Sequence, residues 1–221
     1  GRAMERGRRM KKRLAVFGGD RRMALLAKAF AEDGFPVCTW GLELFDAPMS
    51  AHLDYALEAD RLILPVPLSR EEGWLNCAER RLSLRELFSR VRPGQSLYAG
   101  GVKASDRAEA EKQGVVLTDY LAREELAVRN AVPTAEGAIA LAMAETDVTL
   151  HGAPCLVIGF GRIGKLLAQR LHAMGAEVTV SARRLDDLAW IDAFGYRAVR
   201  TDRLSGELGR FAVLFNTVPH M

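Results

Sequence analysis

Short apolar runs recur along the chain, each followed by a longer stretch whose apolar residues return every three or four positions. The short runs read as buried strands and the 3.6-residue period as helix. Leu14-Ala-Val-Phe17 is the first strand, ending at Gly18-Gly19-Asp20. The helix predicted over 21–32 places Met23, Leu26, Ala27 and Phe30 on one face, and Asp33-Gly34 stops it. Residues 36–40 read as a second strand. Residues 61–67 read as a third, closed by Pro65 and Pro67 because proline ends a strand rather than continuing it. A helix over 84–91, a strand over 96–99, a helix over 104–113 and a short strand over 115–117 follow. Strands that alternate with helices build a parallel sheet covered on both faces. Residues 14–130 are therefore predicted to form one α/β domain, behind a disordered basic tail at 1–13.

Asn130-Ala-Val-Pro133-Thr134 reads as a hinge, with Thr134 as N-cap of a helix over 135–146. Ile139, Ala140, Leu141, Met143 and Ala144 make that helix apolar nearly all round. Such a helix is expected to be buried, as a connector over 131–150. A second domain is predicted over 151–221. It holds strands at 155–158, 175–181 and 197–200, helices at 163–174, 185–194 and 204–208, and a last strand within 211–218. The fold class is thus α/β, with two doubly wound parallel-sheet domains. A doubly wound dinucleotide domain usually has about six strands, so this one is expected to be C-terminally truncated.

The chemistry concentrates in Gly159-Phe160-Gly161-Arg162-Ile163-Gly164, which lies between a strand and a helix with a second strand beyond. That context makes it a dinucleotide-binding loop. Gly159 allows the tight turn, Gly161 the approach of a pyrophosphate and Gly164 the close packing of helix on strand. The helix N-terminus receives the anion. An NAD site usually places Asp or Glu about 20 residues on, to bond the ribose 2′-hydroxyl. Here the second strand ends Ser181-Ala-Arg183-Arg184, with no acid. A hydroxyl and two guanidinium groups suit a 2′-phosphate, so the expected cofactor is NADP. Asn216, Thr217, Val218 and Pro219 end the last strand, where open α/β sheets bind ligands, and are expected along the nicotinamide-side ribose.

Charge adds little. The net charge of +3 comes from the tail, which carries seven basic side chains and one acid; the body without it is at −3. No nucleic-acid role is expected. Cys38, Cys77 and Cys155 form no Cys-x-x-Cys pair, which suits a reducing cytoplasm. His52, His151, His172 and His220 lack metal-ligand spacing, so no metal is expected. No apolar run approaches the ~20 residues of a membrane span.

Leu14-Ala-Val-Phe-Gly-Gly-Asp20, Asn130-Ala-Val-Pro-Thr-Ala-Glu-Gly-Ala138, and the stretch from Val157 to Gly164 with Phe215-Asn-Thr-Val-Pro219 together resemble the dipicolinate synthase A family. The resemblance covers the body from Leu14 onward. It implies NADP-dependent oxidation of dihydrodipicolinate to dipicolinate during sporulation, and its implied partner is a flavoprotein-like B subunit. A homo-oligomer is also expected. The layout is similar to the NAD domains of adenosylhomocysteinase and 2-hydroxyacid dehydrogenases, in which a Thr or Asn at the position of Thr134 faces the nicotinamide ribose. A dicarboxylate substrate needs cations or N–H donors. Lys103, Arg129, Asn130 and the start of the Thr134 helix are candidates. Ser69, Arg70 and the amides of Gly100-Gly101, at the ends of strands three and four, are others.

Glu124, Glu136, Asp119 and His220 are equal candidates for a base, so no catalytic residue is assigned. Two alternatives stay open. One is a 2-hydroxyacid-dehydrogenase-like oxidoreductase, although the His–acid pair and arginine it needs are not visible. The other is a non-catalytic protein that only binds the nucleotide.

Overall fold

The computed structural model describes residues 11–218, and they divide into two compact units at Arg123/Glu124. The first unit runs β1 (Leu14–Phe17), α1 (Arg21–Glu32), β2 (Val37–Trp40), α2 (Leu53–Leu57), β3 (Arg61–Ile63), α3 (Leu84–Ser89), β4 (Ser96–Ala99), α4 (Ala104–Lys112) and β5 (Leu117–Asp119). Its strands pair in the order β2-β1-β3-β4-β5, all parallel. β1 is buried at all four positions, as a central parallel strand covered on both faces must be. Phe17, Leu62, Leu64 and Leu97 pack with Leu87 and Phe88 of α3 on one side. Leu14, Val16 and Ile63 pack with Met23 and Ala27 of α1 on the other. α1 starts where Asp20 accepts a hydrogen bond from the Arg22 amide at 3.0 Å, which satisfies one free donor of the first turn.

The second unit runs α5 (Glu124–Glu145), β6 (Pro154–Ile158), α6 (Arg162–Ala173), β7 (Glu177–Ala182), α7 (Leu185–Ala193), β8 (Arg197–Arg200) and β9 (Val213–Asn216). The parallel order is β8-β7-β6-β9, the first four positions of a Rossmann sheet. α6 buries Gly164, Leu167, Ala168 and Leu171; their spacing of three and four lays one stripe of the helix on the sheet. Cys155, Val157 and Val180 form the core beneath it. No helix among the described residues is long and apolar enough to cross a membrane.

Several expectations are corrected. The hinge at 130–134 lies inside α5, which begins at Glu124. Thr134 is therefore not an N-cap; its hydroxyl donates to the Asn130 carbonyl one turn back, at 3.2 Å. Pro133 cannot donate to the Arg129 carbonyl, yet the helix runs through it. Glu124 and Glu125 in the first turn suit the positive end of the helix dipole. The helix is also less enclosed than its composition implies. Ala131, Ala135, Ile139 and Ala142 are buried, but Leu141 and Met143 are 62% and 57% exposed. Strand three ends at Ile63 and strand five begins at Leu117. α2 lies in a stretch whose pattern predicts no element. Residues 1–10 of the predicted tail lie outside the described residues, but its end is held in place. The Arg13 amide donates to Asp60 at 2.7 Å, and the Lys11 ammonium lies 4.6 Å from the Phe35 ring centre.

Candidate dinucleotide site

The glycine loop joins β6 to α6, and each glycine does something different there. Gly159 has a φ of +100°, in the left-handed region, and its amide donates to the Ser181 carbonyl at 2.9 Å. A Cβ here would stand 2.7 Å from the Thr217 hydroxyl. That hydroxyl in turn donates to the Ile158 carbonyl at 2.8 Å, tying the end of β9 to the turn. Gly164 faces the turn from α6: a Cβ would lie 2.1 Å from the Gly159 carbonyl oxygen. Beside Gly161 a Cβ would meet no atom within 4 Å. The space next to the first turn of α6 is thus open to a ligand, and that turn presents amide donors with no acceptor inside the helix. These residues fit the pyrophosphate of a dinucleotide.

The side chains of the loop are anchored elsewhere. Phe160 is buried and packs on Phe194 with ring centres 6.2 Å apart. Arg162 makes a two-pronged ion pair with Glu124, at 2.6 and 2.9 Å. This bond to Arg162 pulls the Glu124 carboxyl below its usual range. The Arg162 guanidinium is thus already held within the protein. Ile163 lines a groove of about 600 Å³ together with Thr134, Leu141, Leu214, Asn216 and Thr217. Asn216 accepts the Val218 amide at 3.1 Å, and Val218 packs on Leu156 and Ile158. Pro219 lies outside the described residues.

At the end of β7 the two arginines part company. Arg184 is held by Asp186 in the first turn of α7. Arg183 is exposed and makes no hydrogen bond or ion pair among the described residues. The expected role of the Ser181 side chain is corrected. Ser181 is fully buried, its neighbours Val180 and Ala182 are buried too, and its hydroxyl accepts from Thr201 at 3.5 Å. The register pairs Ala182 with Arg200. It thereby brings Thr201 and Arg203, which follow β8, beside the end of β7. Neither is among the contacts expected from sequence. The signal for them is topological, since the third strand of such a sheet must end next to the second.

The first-unit candidates are mostly committed inside the protein. Ser69 is corrected as a ligand contact: it is fully buried and donates to Asp106 at 2.7 Å. The Gly101 amide donates to Asp119 at 3.3 Å, beside those of Val102 at 3.1 Å and Leu121 at 2.9 Å. Gly101 is thus not a free donor. The Lys103 ammonium donates to the Arg70 carbonyl at 3.3 Å. Arg129 and Asn130 are exposed on α5. Of the acids considered as bases, Glu136 faces Arg170 at 3.4 Å, while Asp119 and Glu124 are held as described. His220 lies outside the described residues.

Comparison with known proteins separates the two units. Residues 13–121 match the N-terminal domain of the A subunit of dipicolinate synthase. Residues 120–219 match the NAD-binding domain of D-isomer specific 2-hydroxyacid dehydrogenases. The dipicolinate synthase A subunit of Bacillus subtilis (strain 168) is 28% identical over 221 residues, covering 95% of this chain and 73% of the relative. The crystal structure of that B. subtilis protein superposes with a TM-score of 0.78 at 28% identity, over 95% of this chain and 74% of that one. Its Bacillus halodurans counterpart gives 0.82 at 27% identity, over 95% and 75%.

The chain is similar over nearly its whole length to dipicolinate synthase A subunits.

The second unit matches a nicotinamide-dinucleotide domain of dehydrogenase type. Tyr120 lies at the end of the first-unit match and is excluded as a proton acceptor. Burial pushes its phenol up to about 12 from an ordinary 10.0, and the hydroxyl donates to the Leu64 carbonyl at 3.1 Å. A raised phenol favours the neutral form in the folded state. The stabilisation is therefore complete below pH 10 and is lost as the pH rises toward 12. In a spectrophotometric titration the Tyr120→Phe protein is expected to lack the last phenolate step, near pH 12. Loss of a step at the ordinary tyrosine range instead would show that this phenol is not buried.

Proposed function

We propose that the chain oxidises a dihydrodipicolinate to dipicolinate with NADP, as the A subunit of a dipicolinate synthase. The observation that carries this reading is the joining, in one chain, of a first unit that matches the family's own N-terminal domain to an intact glycine loop. The 2-hydroxyacid dehydrogenase alternative rests on residues 120–219 alone. The choice of NADP is supported by Arg183, a cation without an acid partner where an NAD site usually has an acid.

Aromatising a dihydropyridine removes a hydride from one ring carbon and a proton from another. The bound nicotinamide supplies the hydride acceptor. The chain's residues position and hold. Amides of the first turn of α6 take the pyrophosphate, and Gly161 admits it. Arg183 holds the 2′-phosphate, with Arg203 at the neighbouring strand end. Asn216, Thr217 and Val218 line the nicotinamide-side ribose, with Thr134 and Ile163 on the groove wall. The same reading includes partnership with a flavoprotein-like B subunit, a homo-oligomer, and the cytoplasm of a sporulating cell.

Calorimetric titration with NADPH and NADH, each with and without dipicolinate, tests both parts. Tighter NADPH binding that strengthens or weakens with dipicolinate is the expected result. A preference for NADH overturns the cofactor assignment. Failure to bind dipicolinate in the presence of either cofactor overturns the substrate.

A further inference from the structure

In the first sheet the chain leaves β1 in one direction to β2 and in the other to β3. That reversal opens a crevice at the carboxyl ends of β1 and β3, where doubly wound sheets of this order bind their ligands. The crevice is present as a pocket of about 340 Å³, lined by Gly19, Arg70, Trp74, Asn76, Arg80 and Arg81 among others.

The pocket wall is built rather than draped. The Gly19 amide donates to the Asn76 carbonyl at 2.7 Å. Gly18 and Gly19 have φ of +50° and +87°, and a Cβ on Gly18 would stand 2.6 Å from that same carbonyl oxygen. The Asn76 amide group donates to the Pro67 carbonyl at 2.9 Å. The buried Ser69–Asp106 bond pins the same segment.

Most of the charge in this lining is already matched. Asp20 is paired with Arg22 at 2.9 Å. Arg80 is paired with Glu43 at 3.0 Å. Arg81 holds Glu71 through two hydrogen bonds, at 3.0 and 3.2 Å, and lies 3.9 Å from the Trp74 ring centre. Arg70 makes no hydrogen bond or ion pair among the described residues; the Asp20 carboxyl, held below its usual range chiefly by its bond to Arg22, is lowered further by the nearby charge of Arg70. A guanidinium fork matches a carboxylate, and an indole suits a flat ring.

We infer that this pocket receives one carboxylate and the ring of the planar dicarboxylate, with Arg70 as the anchoring cation and the face of Trp74 not covered by Arg81 as the wall against which the ring lies. The inference rests on the dipicolinate reading of the substrate.

The test is titration of the full chain with dipicolinate, followed by tryptophan emission, with NADPH affinity measured in parallel by calorimetry. Dipicolinate is expected to change the emission, and Trp74→Phe to remove most of that change. Arg70→Gln is expected to weaken dipicolinate about tenfold or more, with Arg70→Lys between it and the parent. NADPH affinity stays at the parent value in all three variants, which also reports that they are folded. If Arg70→Gln binds dipicolinate as the parent does, the pocket assignment falls while the substrate reading stands. If the parent binds NADPH but no dipicolinate, the substrate reading falls and takes the pocket with it. Inorganic sulfate binding as tightly as dipicolinate would overturn the planar ligand.

Discussion

Gly161→Val is expected to give a folded protein that no longer binds a dinucleotide, whereas Gly164→Ala, three residues on, is expected to lose stability first. The difference comes from what each new side chain meets. Gly161 has a φ of −79°, which any residue adopts, and open space at its Cβ position. The Cβ of a valine there meets nothing within 4 Å, and the side chain fills the approach a pyrophosphate needs. Gly164 sits in a helix, where alanine by itself would gain about 1 kcal/mol. Its Cβ would overlap the Gly159 carbonyl oxygen at 2.1 Å. Backbone cannot rotate away as a side chain can. Overpacking of this kind costs about 1–3 kcal/mol and occasionally more, so the clash outweighs the gain. Urea denaturation and calorimetry with NADPH on both variants separate the two effects. A Gly161→Val protein with unchanged affinity would show that the loop is structural only.

Arg183→Ala is expected to weaken NADPH roughly ten- to hundredfold, the range for losing a hydrogen bond to a charged group, while NADH binding changes little. Arg184→Ala should do less. Arg184 is already held by Asp186, so its guanidinium would have to leave that partner to reach a phosphate. Binding curves for both nucleotides decide the matter. Equal weakening of NADPH and NADH by Arg183→Ala would remove the 2′-phosphate role.

What could be read from sequence was local chemistry. The glycine loop declares itself because turn, helix start and packing are made within six consecutive residues. Both parallel sheets declare themselves through apolar runs such as Leu14–Phe17 and Cys155–Ile158. What escaped depended on partners far along the chain. Ser69 reads as a loop hydroxyl, but Asp106, 37 residues on, accepts its hydrogen bond. The Gly101 amide reads as free, but Asp119 folds back onto it. Thr201 and Arg203 acquire meaning only from the register of β7 on β8. α2 spans five residues, too few to show a period. Pro133 misled most. An interior proline costs about 3 kcal/mol, so its stretch reads as a hinge before a helix capped by Thr134, yet the helix runs on through it and buries Ala131 and Ala135 on one side.

That unbroken helix also says where the chain can be cut. A fragment that begins at residue 131, the boundary suggested by sequence, would start its first helix two residues before Pro133 and discard Glu124. The guanidinium of Arg162, within the glycine loop, would lose the carboxylate that holds it. A fragment that begins at Glu124 keeps both. Anyone excising the nucleotide-binding half for crystallisation or exchange measurements gains a site with its brace in place by moving the start seven residues upstream.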